Sequence, residues 1–190
     1  RIFKIDLKTK TNSPVAGIEG GHPAISPDGQ YLAFVSHGKD SCALWVQDLK
    51  TNTPVQITSG TGMDMSPRWS PDGRFIYFVR YLDDTNLDER VTIDDRPGIW
   101  RIEWGGSKIL RQLTDGSNYD LFPVVVGKNL YFSANQKNRT NVWKLPADGM
   151  LAGESDYGKS LQMAGELCPD IKGSYRCLMV YRNLIQGHEG

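Results

Sequence analysis

Ser66-Pro67-Arg68-Trp69-Ser70-Pro71-Asp72-Gly73-Arg74-Phe75-Ile76-Tyr77-Phe78-Val79 is the stretch on which the fold turns, two short apolar runs joined by Ser-Pro-Asp-Gly. In such a turn the Ser hydroxyl accepts a hydrogen bond at the first position and Pro presets φ at the second. Asp is tolerated at the third, and Gly supplies the positive φ that returns the chain as a hairpin. The same arrangement stands at Pro23-Ala24-Ile25-Ser26-Pro27-Asp28-Gly29-Gln30-Tyr31-Leu32-Ala33-Phe34-Val35.

Outward from these hairpins the pattern repeats. The apolar run after the turn recurs as 31–35, 75–79, 129–133 and 177–181. A spacing on the order of 50 residues is the mark of a repeat architecture. A second series, 2–7, 44–49, 99–104 and 142–145, carries an aromatic at its second position (Phe3, Trp45, Trp100, Trp143) and then alternates. Alternation among β-branched and aromatic residues predicts a strand with one face more buried than the other. Short runs at 55–58 and 111–114 then end in Ile-Thr and Leu-Thr.

The unit is therefore four short strands: an inner one at 67–70, a buried one at 75–79, an aromatic-marked one at 99–104 and an edge at 111–114. One such meander cannot bury both of its faces. Stacking copies radially about an axis solves this, which is the β-propeller arrangement. The almost unbroken apolar character of the second strand fits a sheet covered on both sides.

The pattern Pro-x-x-Ser-Pro-Asp-Gly, an apolar run, an aromatic-bearing strand and a closing Ile-Thr or Leu-Thr resembles PD40. This WD40-like repeat occurs in TolB-type propellers, in tricorn-like proteins and in the propeller domains of some serine peptidases. The likeness is close over 23–58 and 67–114, looser over 123–145 and poor from Met150 onward. The third copy, Val124-Val125-Val126-Gly127, keeps the Gly and has lost Ser-Pro-Asp. The fourth, Cys168-Pro169-Asp170-Ile171-Lys172-Gly173, delays the Gly and predicts a wider hairpin.

The expected fold class is all-β, with propeller blades of four antiparallel strands in a single unit over 1–190. Its parts would be a partial blade 1–18, blades 19–58 and 59–114, an irregular blade 115–165 and a partial blade 166–190. Either the two ends pair to close a small four-bladed ring, or the chain is a slice of a longer propeller; the slice agrees better with usual blade numbers. The strand-like start at Arg1 also suggests a processed product or a piece of a longer chain. The resemblance implies an extracytoplasmic setting, periplasmic or secreted, and a non-catalytic scaffold that binds a protein or peptide. The alternative it leaves open is a propeller domain that gates or binds substrate for a larger enzyme, a serine peptidase or a redox complex.

Composition narrows the rest. With 22 Lys and Arg against 22 Asp and Glu, no global field recruits nucleic acid or an anionic membrane. No apolar run approaches the length of a membrane span. The three histidines lack metal-ligand spacing, Gly60-Thr61-Gly62 lacks the third glycine of a nucleotide fingerprint, and no Gly-x-Ser-x-Gly elbow is present. Neither a catalytic residue, a cofactor nor a metal is expected from these residues.

The clearest irregularity is the connection from Phe78 to Trp100, twice as long as those from Phe34 to Trp45 and from Phe132 to Trp143. It holds Asp83, Asp84, Asp88, Glu89, Asp94 and Asp95 against Arg90 and Arg96. A long charged loop on a rigid scaffold is a usual place for function. It reads as a partner contact, a cation site or a solvated insertion, although Glu89 stands where a calcium loop needs Gly. The loops leading into the inner strands should emerge on the same face, bringing His22, Asp64, Tyr119, Asp120 and Phe122 there. Asp64 and Asp120 each stand three residues before the strand's Pro, either as equivalent carboxylates around a funnel or as ordinary turn residues.

The expected partner-binding set is thus His22, Asp64, Asp83, Asp84, Asp88, Asp94, Tyr119, Asp120 and Phe122. The acidic loop would steer basic groups, and the aromatics, Tyr81 among them, would give apolar contact. Cys168 and Cys177 flank the last hairpin, where they form either a disulfide or two buried thiols, and Cys42 has no local partner in the sequence.

Overall fold

The computed structural model of the chain describes residues 1–37, 42–60, 62–82, 85–87, 89, 91–136, 139–148 and 162–163. Strands and turns make up this part, with no helix among the described residues. β1 (Phe3–Ile5) pairs with β2 (Asn12–Pro14). Three meanders follow. The first is β3 (Gly21–Ile25), β4 (Tyr31–His37), β5 (Cys42–Asp48) and β6 (Thr53–Gln56). The second is β7 (Met63–Trp69), β8 (Phe75–Tyr81), β9 (Gly98–Glu103) and β10 (Leu110–Gln112). The third is β11 (Tyr119–Val126), β12 (Asn129–Gln136), β13 (Arg139–Pro146) and β14 (Gln162–Met163). Neighbours within each meander run antiparallel, and one parallel bridge, Cys42 to Met63, joins the first to the second.

The Ser-Pro-Asp-Gly turns form as their residues dictate. Ser26 and Ser70 each donate to the carboxylate two residues on, Asp28 and Asp72, at 2.5 Å. The same hydroxyls accept from the amides of Tyr31 and Phe75 at 2.9 Å. Gly29 and Gly73 take φ of 72° and 71°, the left-handed region in which a Cβ is strained. The third repeat, without Ser-Pro-Asp, reverses over Gly127 and Lys128 alone, with Val126 paired to Asn129.

Side-chain alternation explains why the second strand of each repeat is apolar throughout. Leu32 and Phe34 of β4 pack with Ile2 and Ile18 on one side. Ala33 of β4 faces the other way, toward a cluster holding Leu44, Val46, Trp69, Ile76, Phe78 and Ile102. In β8, Ile76 and Phe78 face the first meander, while Tyr77, Val79 and Tyr81 face Val125, Leu130, Phe132 and Leu145 of the third. Each strand is thus buried on both faces, with successive residues serving opposite neighbours. The marker tryptophans hold equivalent places: Trp45, Trp100 and Trp143 pair in register with Phe34, Phe78 and Phe132 and pack in three successive interfaces.

One expectation needs correction. The inner strands begin earlier than the alternation suggested, so His22, Asp64 and Asp120 lie inside β3, β7 and β11 rather than in the loops before them. A bulge hides the continuation: each inner strand carries one extra residue between Gly21 and Ala24, Met65 and Arg68, or Leu121 and Val124. The irregular part of the third repeat holds, among its described residues, a short edge, the two-residue β14 paired to Trp143 and Lys144. The last hairpin and the partial blade 166–190, with Cys168 and Cys177, lie outside the described residues.

Candidate functional site

The bulges set the backbone of the site. The extra residue in each is His22, Ser66 or Phe122, with φ of 52°, 52° and 56°, and each directly precedes a proline. Positive φ in a side-chain-bearing residue before proline is a strained conformation, held here by the ladders on either side. It turns the three side chains out of the strand's alternation at equivalent positions of adjacent meanders. His22 Nδ1 and Ser66 Oγ stand 3.4 Å apart, joining the first two. Burial lowers the pKa of His22, helped by His37 and by Arg68, which favours the neutral imidazole.

The long connection after β8 is built around Asp95, a buried carboxylate. One of its oxygens accepts from the amides of Thr85 and Asn86 and from the Thr85 hydroxyl; the other accepts from the Thr92 amide at 2.7 Å. Bonds to Thr92 foremost, and then to Thr85, hold its pKa below the ordinary carboxylate value, with burial acting the other way. The loop so folded reaches the third meander: Tyr119 donates from its hydroxyl to the Asp94 carbonyl at 2.8 Å, and Arg96 Nη1 donates to the Ser117 carbonyl at 3.3 Å. The insertion and the entry to β11 therefore form one surface. On it stand Leu87, 85% exposed, Phe122, 53% exposed, and the exposed side chains of Leu82, Ile93 and Tyr119.

Of the expected site residues, Tyr119, Phe122 and Asp94 are exposed on this surface, and His22 is exposed on the first meander, next to Ser66. Asp83, Asp84 and Asp88 lie outside the described residues. Asp64 and Asp120 are buried, at 1% and 0% exposure, so the equivalent carboxylates do not face an open funnel. Asp64 is engaged bidentately by Arg80, Nε to Oδ1 at 2.6 Å and Nη2 to Oδ2 at 2.8 Å. It also accepts a short hydrogen bond from Thr58. Burial pushes its pKa up, against the pull of Arg80 and Thr58. Arg80 is further placed over the rings of Phe78 and Trp100, at 5.5 Å and 5.6 Å.

Arg80, Thr58 and Asp95 were not in the expected partner-binding set. The closing Ile-Thr and Leu-Thr were visible, and the structure gives their reason. The Thr58 and Thr114 hydroxyls accept hydrogen bonds from the amides of Leu44 and Ile99 at 2.8 Å, and the Thr58 hydroxyl also donates a hydrogen bond to Asp64 of the next meander. Cys42 has a neighbour the sequence hid: His37 Nδ1 lies 3.2 Å from its sulfur across the β4–β5 pair. Burial, with Asp64 nearby, pushes the Cys42 thiol up in pKa, which makes it a poor nucleophile at neutral pH.

Comparison with known proteins bears on this arrangement. Residues 1–81 match the family model described as PD40, TolB beta propeller domain. The Tol-Pal system protein TolB of Francisella tularensis is 31% identical over 81 residues, 41% of this chain and 18% of that protein. The crystal structure of TolB from Acinetobacter baumannii superposes with a TM-score of 0.65 at 19% identity, over 85% of this chain and 36% of that one. The acylaminoacyl peptidase of Pyrococcus horikoshii superposes at 0.56 with 18% identity, over 85% of this chain and 29% of the peptidase. The chain spans less than a third of the length of the curated relatives it matches, 29% and 18% for the first two. Residues 1–81 thus match the PD40, TolB beta propeller family model, and the fold of the described residues is that of TolB-type β-propellers.

Proposed function

We propose that the chain is a non-catalytic protein- or peptide-binding propeller that engages its partner through the loop surface between the second and third meanders. The observation that carries this reading is the exposed apolar set of Leu82, Leu87 and Ile93 in the connection, whose backbone is fixed by Asp95, with Tyr119 and Phe122 at the entry to β11. Exposed apolar groups on a rigid frame are what a protein interface uses, and aromatic anchors dominate such contacts. Asp94, with Asp83, Asp84 and Asp88 in the same stretch of sequence, adds negative charge that favours a basic partner segment. Asp64 and Asp120 support the surface from beneath and make no direct contact with a partner. Kinship with Tol-Pal system proteins supports a protein partner. An extracytoplasmic setting, and the division into blades 19–58, 59–114 and 115–165, are the expectations that accompany the TolB-type repeat.

A photo-crosslinking amino acid placed at Phe122 or Tyr119 should capture one common partner, and the same probe at Val55 on a distant edge should not. Equal capture at all three positions, or capture that survives Leu87→Asp combined with Ile93→Asp, would sink the reading. A second reading draws on the fold likeness to the acylaminoacyl peptidase, in which the chain would be the propeller of a larger hydrolase. A Gly-x-Ser-x-Gly segment in the parent reading frame would favour it.

A further inference from the structure

At the opposite end of the inner strands from the loop surface lies a cleft of about 520 Å³, in the size range of small-ligand sites. Pro23 and Ile25 of β3, Arg68 and Pro71 from the second meander, and Val124 and Val126 of β11 line it. The shortened third hairpin leaves room there: where the first two repeats carry Ser-Pro-Asp-Gly, β11 and β12 are joined by Gly127 and Lys128 alone. Ile25 and Val126 expose their side chains to it, at 55% and 43%. Arg68 is exposed and uses one N–H on the carbonyl of its neighbour Pro67, at 2.8 Å. No carboxylate among the described residues lines the cleft.

The backbone adds a third feature. Among the described strands, β3 and β11 pair on one side only, and β7 meets β5 only at Met63. The inner strands β3, β7 and β11 therefore each present an edge along the same axis, beside which an extended main chain can lie. A guanidinium among apolar walls, beside these strand edges, matches a carboxylate that follows an apolar side chain on a peptide backbone. We infer that this cleft binds the C-terminal end of a peptide, its α-carboxylate on Arg68 and its last apolar side chain between Ile25 and Val126. Arginine is suited to this because its planar N–H pairs meet a carboxylate in two parallel bonds. The site is separate from the loop surface and does not depend on it.

The test titrates the isotope-labelled full chain with N-acetyl-Ala-Val-Leu as the free acid and as the carboxamide, reading amide chemical shifts. The free acid should shift residues 24–25, 68 and 124–127 and bind about tenfold or more tightly than the carboxamide, as a charge-assisted pair implies. Arg68→Ala should erase that preference without altering thermal unfolding, since the side chain is exposed; Arg68→Lys should keep part of it. Alanine at Tyr119 and Phe122 should leave it unchanged, which separates this site from the loop surface. Equal binding of acid and carboxamide, binding of neither, or a preference that survives Arg68→Ala would overturn the assignment.

Discussion

Asp64→Asn is the sharpest test of how the meanders are joined. The carboxylate sits at 1% exposure with two Arg80 bonds of 2.6 Å and 2.8 Å and the Thr58 hydroxyl as a third donor. An Asn keeps the volume and can still accept from one donor, but it leaves the Arg80 guanidinium uncompensated at 6% exposure. Removing one member of a buried ion pair costs about 3–5 kcal/mol. The rings of Phe78 and Trp100 offset part of the stranded charge, so the lower end of that range is expected. For a chain of this size each kcal/mol moves Tm by about 2–4 °C, giving a fall of roughly 6–12 °C at about 3 kcal/mol. Urea unfolding followed by tryptophan fluorescence gives the free energy, and calorimetry gives the Tm. The double variant Asp64→Leu with Arg80→Met, which removes both charges, should recover most of the loss. A single variant within about 1 kcal/mol of the parent, or a double variant worse than the single, would refute the reasoning.

Other outcomes follow from the same geometry. Gly20 occupies in the first meander the place of Asp64 and Asp120, and a Cβ there would stand 2.2 Å from the Val35 carbonyl oxygen. Gly20→Ala should therefore destabilise the chain by about 2 kcal/mol or more in urea. Ser66→Gly should stabilise by up to about 1 kcal/mol by relieving the left-handed backbone, whereas Ser66→Val should destabilise by more than that; chemical denaturation checks both. The lowered pKa of Asp95 means the unfolded chain takes up that proton first as pH falls. Its stabilising contribution is present above about pH 4 and is lost as pH drops through the lower native value. Asp95→Asn should flatten that part of the acid limb and speed amide exchange at Thr85, Asn86 and Thr92.

What the sequence disclosed and what it hid divide along physical lines. The turns were legible because Ser, Pro, Asp and Gly each act on the backbone locally, and Ser26, Asp28 and Gly29 form the bonds their types suggest. The two-sided burial of β8 was legible because alternation cannot be read in a run apolar at every position, which itself implies two covered faces. The interior position of Asp64 was not. A carboxylate three residues before a proline reads as a turn residue until its partner Arg80, sixteen residues on, is brought beside it by the β7–β8 register. The bulge at Ser66 likewise depends on both flanking ladders and leaves no local mark beyond the proline that follows. Asp95 was one acidic residue among six in its loop, distinguished only by four donors that converge on it from both sides.

The contact from Thr58 to Asp64 carries a consequence for how such chains can be cut and joined. The closing threonine of one meander completes the carboxylate of the next, so a splice placed between β6 and β7 puts the two halves of that contact under separate ancestry. A graft that carries its own upstream threonine would keep the seam intact. Modules exchanged with this overhang should assemble where those trimmed at the strand ends would not.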